Sequence, residues 1–331
     1  MLTEKNYGGS SNIPKGKLVV NSQAKESHII QKKEKDICSS FSKADIENYR
    51  RAGKISKEVS IYARLIIKKG IKLLDIAEKI ENKIIELGGR PAFPCNLSIN
   101  EIAAHYTPNF DDDTKAHGLP KVDFGVHVAG CIVDTAFSID LENTEENKKL
   151  IQASEHALNS AIENAKKTIS EIGRVIHSKI TTLGFSPIRN LSGHELGKFI
   201  IHAGVTIPNY DNGNEKILEQ GVYAIEPFAT KGAGLVYDSK PSGIYRLEKK
   251  SGVRDPLARK ILEFIEKEYI TLPFCSRWII KQFGARAKLS LSILEQQGIL
   301  HNYPQLVEKN RENVSQAEHT IIITDKIEIL S

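Results

Sequence analysis

The sequence predicts an α/β (α+β) domain with pseudo-twofold symmetry, each half laying a pair of helices on one side of a sheet. Three observations lead there. Residues 43–87 and 144–184 each carry apolar side chains at the three-to-four spacing of paired amphipathic helices. The two pairs share landmarks: Lys68-Lys69-Gly70-Ile71 answers Lys166-Lys167-Thr168-Ile169, and Leu87-Gly88 answers Leu183-Gly184. Beyond each pair, Asn96-Leu97-Ser98 answers Asn190-Leu191-Ser192, and a histidine follows, His105 in the first half, His194 and His202 in the second. Two copies do not make a solenoid. They point to one domain built from two like halves.

In chain order, residues 1–43 come first. They are rich in Lys, Ser, Gly and Asn, lack a sustained hydrophobic period, and are expected to form a basic, disordered extension. Eight lysines against Glu4, Glu26, Glu34 and Asp36 give this segment +4 of the chain's +5, so residues 44–331 are nearly neutral. Its acids and its lack of arginine argue against a mitochondrial presequence. Its lysines suit contact with a polyanion such as ribosomal RNA. The domain proper spans 44–331. Ile46, Tyr49 and Ala52 begin a helical period that runs to Ile67, and Leu73, Leu74, Ala77, Ile80, Ile84 and Leu87 continue it. Strand-like segments lie at 121–128, 131–139, 222–229 and 319–325. Within 246–313, residues 255–268, 275–284 and 287–297 read as short helices, and this span is expected to be a helical insertion. Their spacing permits a helix-turn-helix, but no basic stripe accompanies it, so DNA binding is not expected.

Composition excludes several classes. No apolar run of membrane-spanning length occurs, and the first residues lack the apolar core of a secretion signal. Cys38, Cys95, Cys131 and Cys275 form no CxxC pair or dense framework, so reduced thiols in a cytoplasmic protein are expected.

The chemistry lies in the strands. Val-Asp-Phe-Gly-Val-His-Val, Ala129-Gly130, then Cys-Ile-Val-Asp-Thr-Ala-Phe-Ser reads as a hairpin with a two-residue turn. That register sets Asp123 opposite Ala136, with Asp134 on the same face. The two carboxylates become diagonal neighbours roughly 7 Å apart, a spacing that accommodates two ions roughly 3.5–4 Å from one another. Solvated aspartates are the alternative at this point. His194, in Asn-Leu-Ser-Gly-His-Glu-Leu-Gly, follows a glycine expected to let backbone approach a ligand. Val222, Ala224 and Glu226 alternate on one strand face, and Glu318 precedes the apolar run His-Thr-Ile-Ile-Ile. Buried acids need compensation, and no lysine or arginine accompanies Glu226 or Glu318 on these strands. Bound cations are the simplest partners. Four carboxylates and an imidazole form a hard donor set of the kind that holds paired divalent ions and activates water for hydrolysis.

Seven motifs, in order, carry a resemblance. They are Ala-Ala-His105-Tyr-Thr-Pro, Lys-Val-Asp123-Phe-Gly, Val-Asp134-Thr-Ala-Phe, Ser-Gly-His194, Ile-His202-Ala-Gly, Tyr-Ala-Ile-Glu226-Pro-Phe and Ala-Glu318-His-Thr. Over residues 44–331 the chain resembles the type 2 methionine aminopeptidases, whose fold is called pita-bread. Ile244-Tyr245, where longer eukaryotic relatives carry a histidine, resembles the shorter archaeal form. The resemblance implies a monomeric enzyme that removes the initiator methionine from the N-termini of nascent polypeptides when the second residue is small. It implies two divalent ions, cobalt, manganese, iron or zinc. By it, Asp123 binds one ion, His194 and Glu226 the other, and Asp134 and Glu318 both. Glu226 is then also a proton shuttle, and His105 and His202 contact the scissile amide and its oxyanion. Phe93, Ile201 and Tyr303 fall where the family's methionine pocket is walled, or are plain core residues. Two other functions share the fold. Xaa-Pro aminopeptidases and prolidases use the same ligand types, but the long insertion and Ala-Ala-His-Tyr-Thr-Pro stand against them. A non-catalytic ribosome- or RNA-binding pita-bread protein would have lost metal ligands, and this chain has not.

Overall fold

A computed structural model describes residues 41–331. The expectations for the tail and for Cys38 therefore lie outside the described residues, save Phe41–Lys43. The first helix, α1 (Lys43–Ile66), already begins inside the segment assigned to the tail. Ser42 Oγ accepts the Asp45 N–H at 3.0 Å, a standard N-cap, and the Phe41 ring meets Tyr49 edge-on at 5.6 Å.

The two predicted helix pairs form as α1 with α2 (Leu73–Glu86), and α3 (Glu145–Glu163) with α4 (Ile169–Thr182). Thr144 caps α3 through the Asn147 N–H. Thr168 and Glu171 cap α4 reciprocally, each side chain bonding the other's backbone N–H. Each pair packs on its own sheet. α1 and α2 cover the hairpin strands Pro120–Val128 and Cys131–Ser138 and the short strands Arg90–Pro91 and Asn96–Ile99. Val59, Ile76, Ile80, Phe124 and Ile132 lie within that core. α3 and α4 cover a five-stranded sheet whose centre is Ser192–Leu196, Gly221–Ile225 and His319–Ile323. Ile172, Ile176, Tyr223 and Ile321 lie within the second core. Two cores of like plan are what the repeat predicted.

The hairpin register is as expected. Asp123 pairs with Ala136 and Gly125 with Asp134. Ala129 and Gly130 both have positive φ, 51° and 87°, the signature of a type I′ turn whose twist matches the strands. At the turn a Cβ on Gly130 would fall 2.3 Å from the Phe199 ring, and the Phe199 N–H donates to Gly130 O at 2.9 Å. The hairpin tip therefore anchors the loop that leads to Ile201 and His202.

Residues 246–313 contain α5 (Pro256–Glu268), α6 (Ser276–Phe283) and α7 (Ala287–Gln296). They also contain a strand, Leu300–Glu308, that returns to pair with Val236–Leu247 and, on its other edge, with Ile102–Ala104. That strand was not among the expected ones. Pro304 faces Pro241 across it, with register shifts on both sides, so neither the alternation nor the ladder is regular. A buried ion pair fastens this region to the first half. Arg277 grips Glu81 of α2 at 2.7 and 2.8 Å, while the Glu81 carboxylate also accepts from Trp278 Nε1 and the Cys95 N–H. Cys95, Cys131 and Cys275 are buried free thiols, and no helix of the described residues is long and apolar enough to cross a membrane.

Candidate active site

The five predicted ligands converge from both halves. Asp123 and Asp134 project from the hairpin, His194 from the Ser192–Leu196 strand, and Glu226 and Glu318 from the ends of neighbouring strands. His194 pairs with Ala224, and Glu318 bridges to Ala136 across the junction of the halves. Glu226 was expected within a strand running 222–229. The strand instead stops at Ile225, because Pro227 has no N–H to extend the ladder. Its carboxylate still lies 3.6 Å from His194 Nε2, and Asp134 Oδ2 lies 3.9 Å from the same nitrogen. Donor atoms of Asp134, His194 and Glu318 all fall within 4.8 Å of one another.

Gly193 has a different task from the one expected. A Cβ there would lie 2.4 Å from Ala224 O, so the glycine admits the neighbouring strand's backbone.

The electrostatics are those of a cation site. Burial pushes Asp123 up to about 7 despite hydrogen bonds from Gln316 and Asn96. Burial, then mutual repulsion, holds Asp134, Glu226 and Glu318 well above the usual carboxylate range. No lysine or arginine is among the groups that shift them. Asp123 Oδ1, Glu318 Oε1 and His194 Nδ1 are buried without a hydrogen-bond partner. Buried carboxylate oxygens without a partner are costly in themselves. The chemistry of the donors fits hard or borderline divalent ions, whose charge would offset that of the carboxylates. Burial keeps the His194 imidazole neutral, lowered to about 4, as a metal ligand requires.

Asp134, His194 and Glu318 are buried, whereas His105, His202, Ile201 and Tyr303 are half-buried. His202 lies against His194, ring centroids 4.4 Å apart, and His105 against Tyr303 at 5.4 Å. His105 and His202 are pushed down, chiefly by burial, and so stay neutral at pH 7. His105 Nδ1 lies 3.0 Å from Pro304 O, which can only accept. The proton therefore sits on Nδ1, and Nε2 is left as an acceptor. Its φ of 63° is the left-handed region that a non-glycine residue adopts at a cost. Phe93 and Ile201 belong to one apolar cluster, Phe93 8% exposed and Ile201 more open. Asn96 and Gln316 were not expected at the site. Asn96 stands opposite Asp123 in the sheet, and Gln316 Nε2 reaches Glu226 Oε2 at 3.4 Å. Gln316 precedes Glu318 by two residues, so strand alternation alone puts it on the same face.

Residues 47–255 match the family described as metallopeptidase family M24, and the chain belongs to that family. The methionine aminopeptidase of Methanocaldococcus jannaschii is 45% identical over 289 residues, covering 85% of this chain and 97% of that protein. That of Pyrococcus abyssi is 46% identical over 286 residues, covering 84% and 96%. Within M24 the chain thus stands with the methionine aminopeptidases. Among solved structures, a thermophilic Arx1 superposes with a TM-score of 0.77 at 18% identity, covering 88% of this chain and 92% of that one. The methionine aminopeptidase of Thermotoga maritima superposes with a TM-score of 0.63 at 21% identity, covering 88% and 97%. The prolidase of Pyrococcus furiosus gives 0.58 at 18%, covering 91% of this chain and 67% of that one. At such identities these structures show the shared pita-bread fold alone.

Proposed function

We propose that this protein removes the N-terminal initiator methionine from nascent polypeptides whose second residue is small, using the site formed by Asp123, Asp134, His194, Glu226 and Glu318. The observation that supports this reading is the cluster of Asp134, His194 and Glu318, with Glu226 3.6 Å from His194, in a chain whose relatives of matching length are methionine aminopeptidases. Two divalent ions, drawn from cobalt, manganese, iron and zinc, are assigned to the site. Asp123 would ligate one and His194 and Glu226 the other, with Asp134 and Glu318 available to both. When bound, such ions lower the pKa of water and polarise a carbonyl.

The protein's own groups do the rest. Glu226 is assigned the proton carried from water to the leaving amine, and its half-open position, 14% exposed at the side chain, suits a group that must meet substrate. His105, with Nε2 free to accept, is assigned the scissile N–H. His202, neutral beside His194, is assigned the oxyanion, where one donor contributes about 10²–10³ in rate. Phe93, Ile201 and Tyr303 are assigned the apolar wall against the methionine side chain.

Metal-stripped protein is expected to release methionine from Met-Ala-Ser only after a divalent ion is added, and never from the N-acetylated peptide. Turnover of Xaa-Pro peptides but not of Met-Ala-Ser would reassign the chain to the prolidase branch. We assign the protein to the cytoplasm as a monomer, and its lysine-rich residues 1–40 to contact with ribosomal RNA. Deleting those residues should weaken co-sedimentation with ribosomes and leave peptide turnover intact. Unchanged co-sedimentation would remove the tail from this role.

A further inference from the structure

We propose that Thr320 and Ser138 are positioning residues whose hydroxyls join the two halves of the domain and set the spacing of the metal-binding carboxylates. The inference rests on the ligand assignment above. The Cys131–Ser138 strand pairs along one edge with the first strand of its hairpin. Its other edge faces residues 316–320 of the opposite half, and there three residue pairs align antiparallel in steps of two. Asp134 stands opposite Thr320, Ala136 opposite Glu318, and Ser138 opposite Gln316. The central pair makes the backbone bridge, with the Glu318 N–H donating to Ala136 O at 2.8 Å.

At each end a hydroxyl takes the place of the facing backbone. Thr320 Oγ1 accepts the Asp134 N–H at 2.8 Å and donates to Asp134 O at 2.8 Å. Ser138 Oγ donates to Gln316 O at 2.8 Å and accepts the Gln316 N–H at 2.9 Å. Each hydroxyl thus spends its donor and an acceptor on the backbone of one residue of the other half. One comes from each half, and Asp134, Ser138, Gln316 and Thr320 are all buried. A backbone that bonds a side-chain hydroxyl stands farther from the facing strand than ladder spacing, so the strands part on either side of Ala136–Glu318 without orphaning a polar group. Asp134 and Glu318, the two carboxylates assigned to both ions, sit one step apart on opposite sides of this join. Their separation is therefore set by the hydroxyls more than by either sheet.

Thr320→Val removes both bonds with little change of volume, and Ser138→Ala does the same at the other end. Mn²⁺ binding to the metal-stripped full chain, followed by titration calorimetry, is the readout. Supporting groups behind metal ligands typically contribute about 10–100-fold in affinity, and a loss of that size is expected for Thr320→Val, with Thr320→Ser close to wild type. A purely structural hydroxyl would lower thermal stability and leave affinity alone. Should Thr320→Val not fold, Ser138→Ala decides, with a loss of about tenfold or more expected. Wild-type affinity in these variants, alongside lost binding in Asp134→Asn, would overturn the role of the hydroxyls. Wild-type affinity in Asp134→Asn as well would overturn the ligand assignment and the inference with it.

Discussion

Asp134→Asn is expected to cut methionine release from Met-Ala-Ser by about 10³-fold or more while leaving the fold intact. The side chain is nearly isosteric, and its remaining oxygen can still accept the Thr135 N–H, now bonded at 2.9 Å. The other oxygen, which lies 3.9 Å from His194 Nε2, becomes an amide that cannot ligate a cation as a carboxylate does. Loss of several kcal/mol of charge stabilisation at about 1.4 kcal/mol per tenfold gives the expected factor. Metal-free protein should respond in the opposite sense. Asp134 is raised well above its usual range by burial and by Asp123, so replacing it relieves repulsion, and the metal-free melting temperature should hold or rise. Activity within tenfold of wild type would remove Asp134 from the centre.

Stabilisation by metal is expected to grow with pH between 6 and 8. Burial raises Asp123 to about 7 and holds Asp134, Glu226 and Glu318 well above their ordinary values, so the metal-free folded state binds protons that the unfolded chain has lost. For groups raised in this way, stability is fully present below the unfolded value near about 4 and is lost as pH rises through the folded value. A cation takes the place of those protons. Binding thus releases protons, and affinity increases with pH. His127, lowered to about 4, and Lys121, lowered to about 7, act with the opposite sign on total stability, both through burial. They are not assigned to the ions, so they cancel in the difference between loaded and metal-free protein. The melting temperature gained on adding Mn²⁺ should therefore be larger at pH 8 than at pH 6. A gain that shrinks with pH would show that the carboxylates are not protonated where their burial says they are.

Much of the site was readable from the hairpin. A two-residue turn at Ala129-Gly130 leaves one register, and that register alone puts Asp123 and Asp134 on one face. The helix pairs were readable because their apolar spacing and terminal glycines recur in both halves. The Leu300–Glu308 strand was not, since Pro304 and the bulges opposite Pro241 break its alternation. Its absence from the reading hid how Tyr303 and Pro304 come to support His105. Gly193 was misread because a glycine beside a ligand looks alike whether it admits a substrate or a strand. Thr320 and Ser138 were invisible for a related reason. A hydroxyl in an apolar strand carries no periodic signal, and its partner lies in the other half of the chain.

The five donors are divided between the two halves of the domain, two on the hairpin and three on or beside the strands of the five-stranded sheet. Neither set holds the full constellation, so a chain that has folded only one half is chemically inert. On the proposed assignment, cutting power belongs to the join of the halves, and damage to either one silences both.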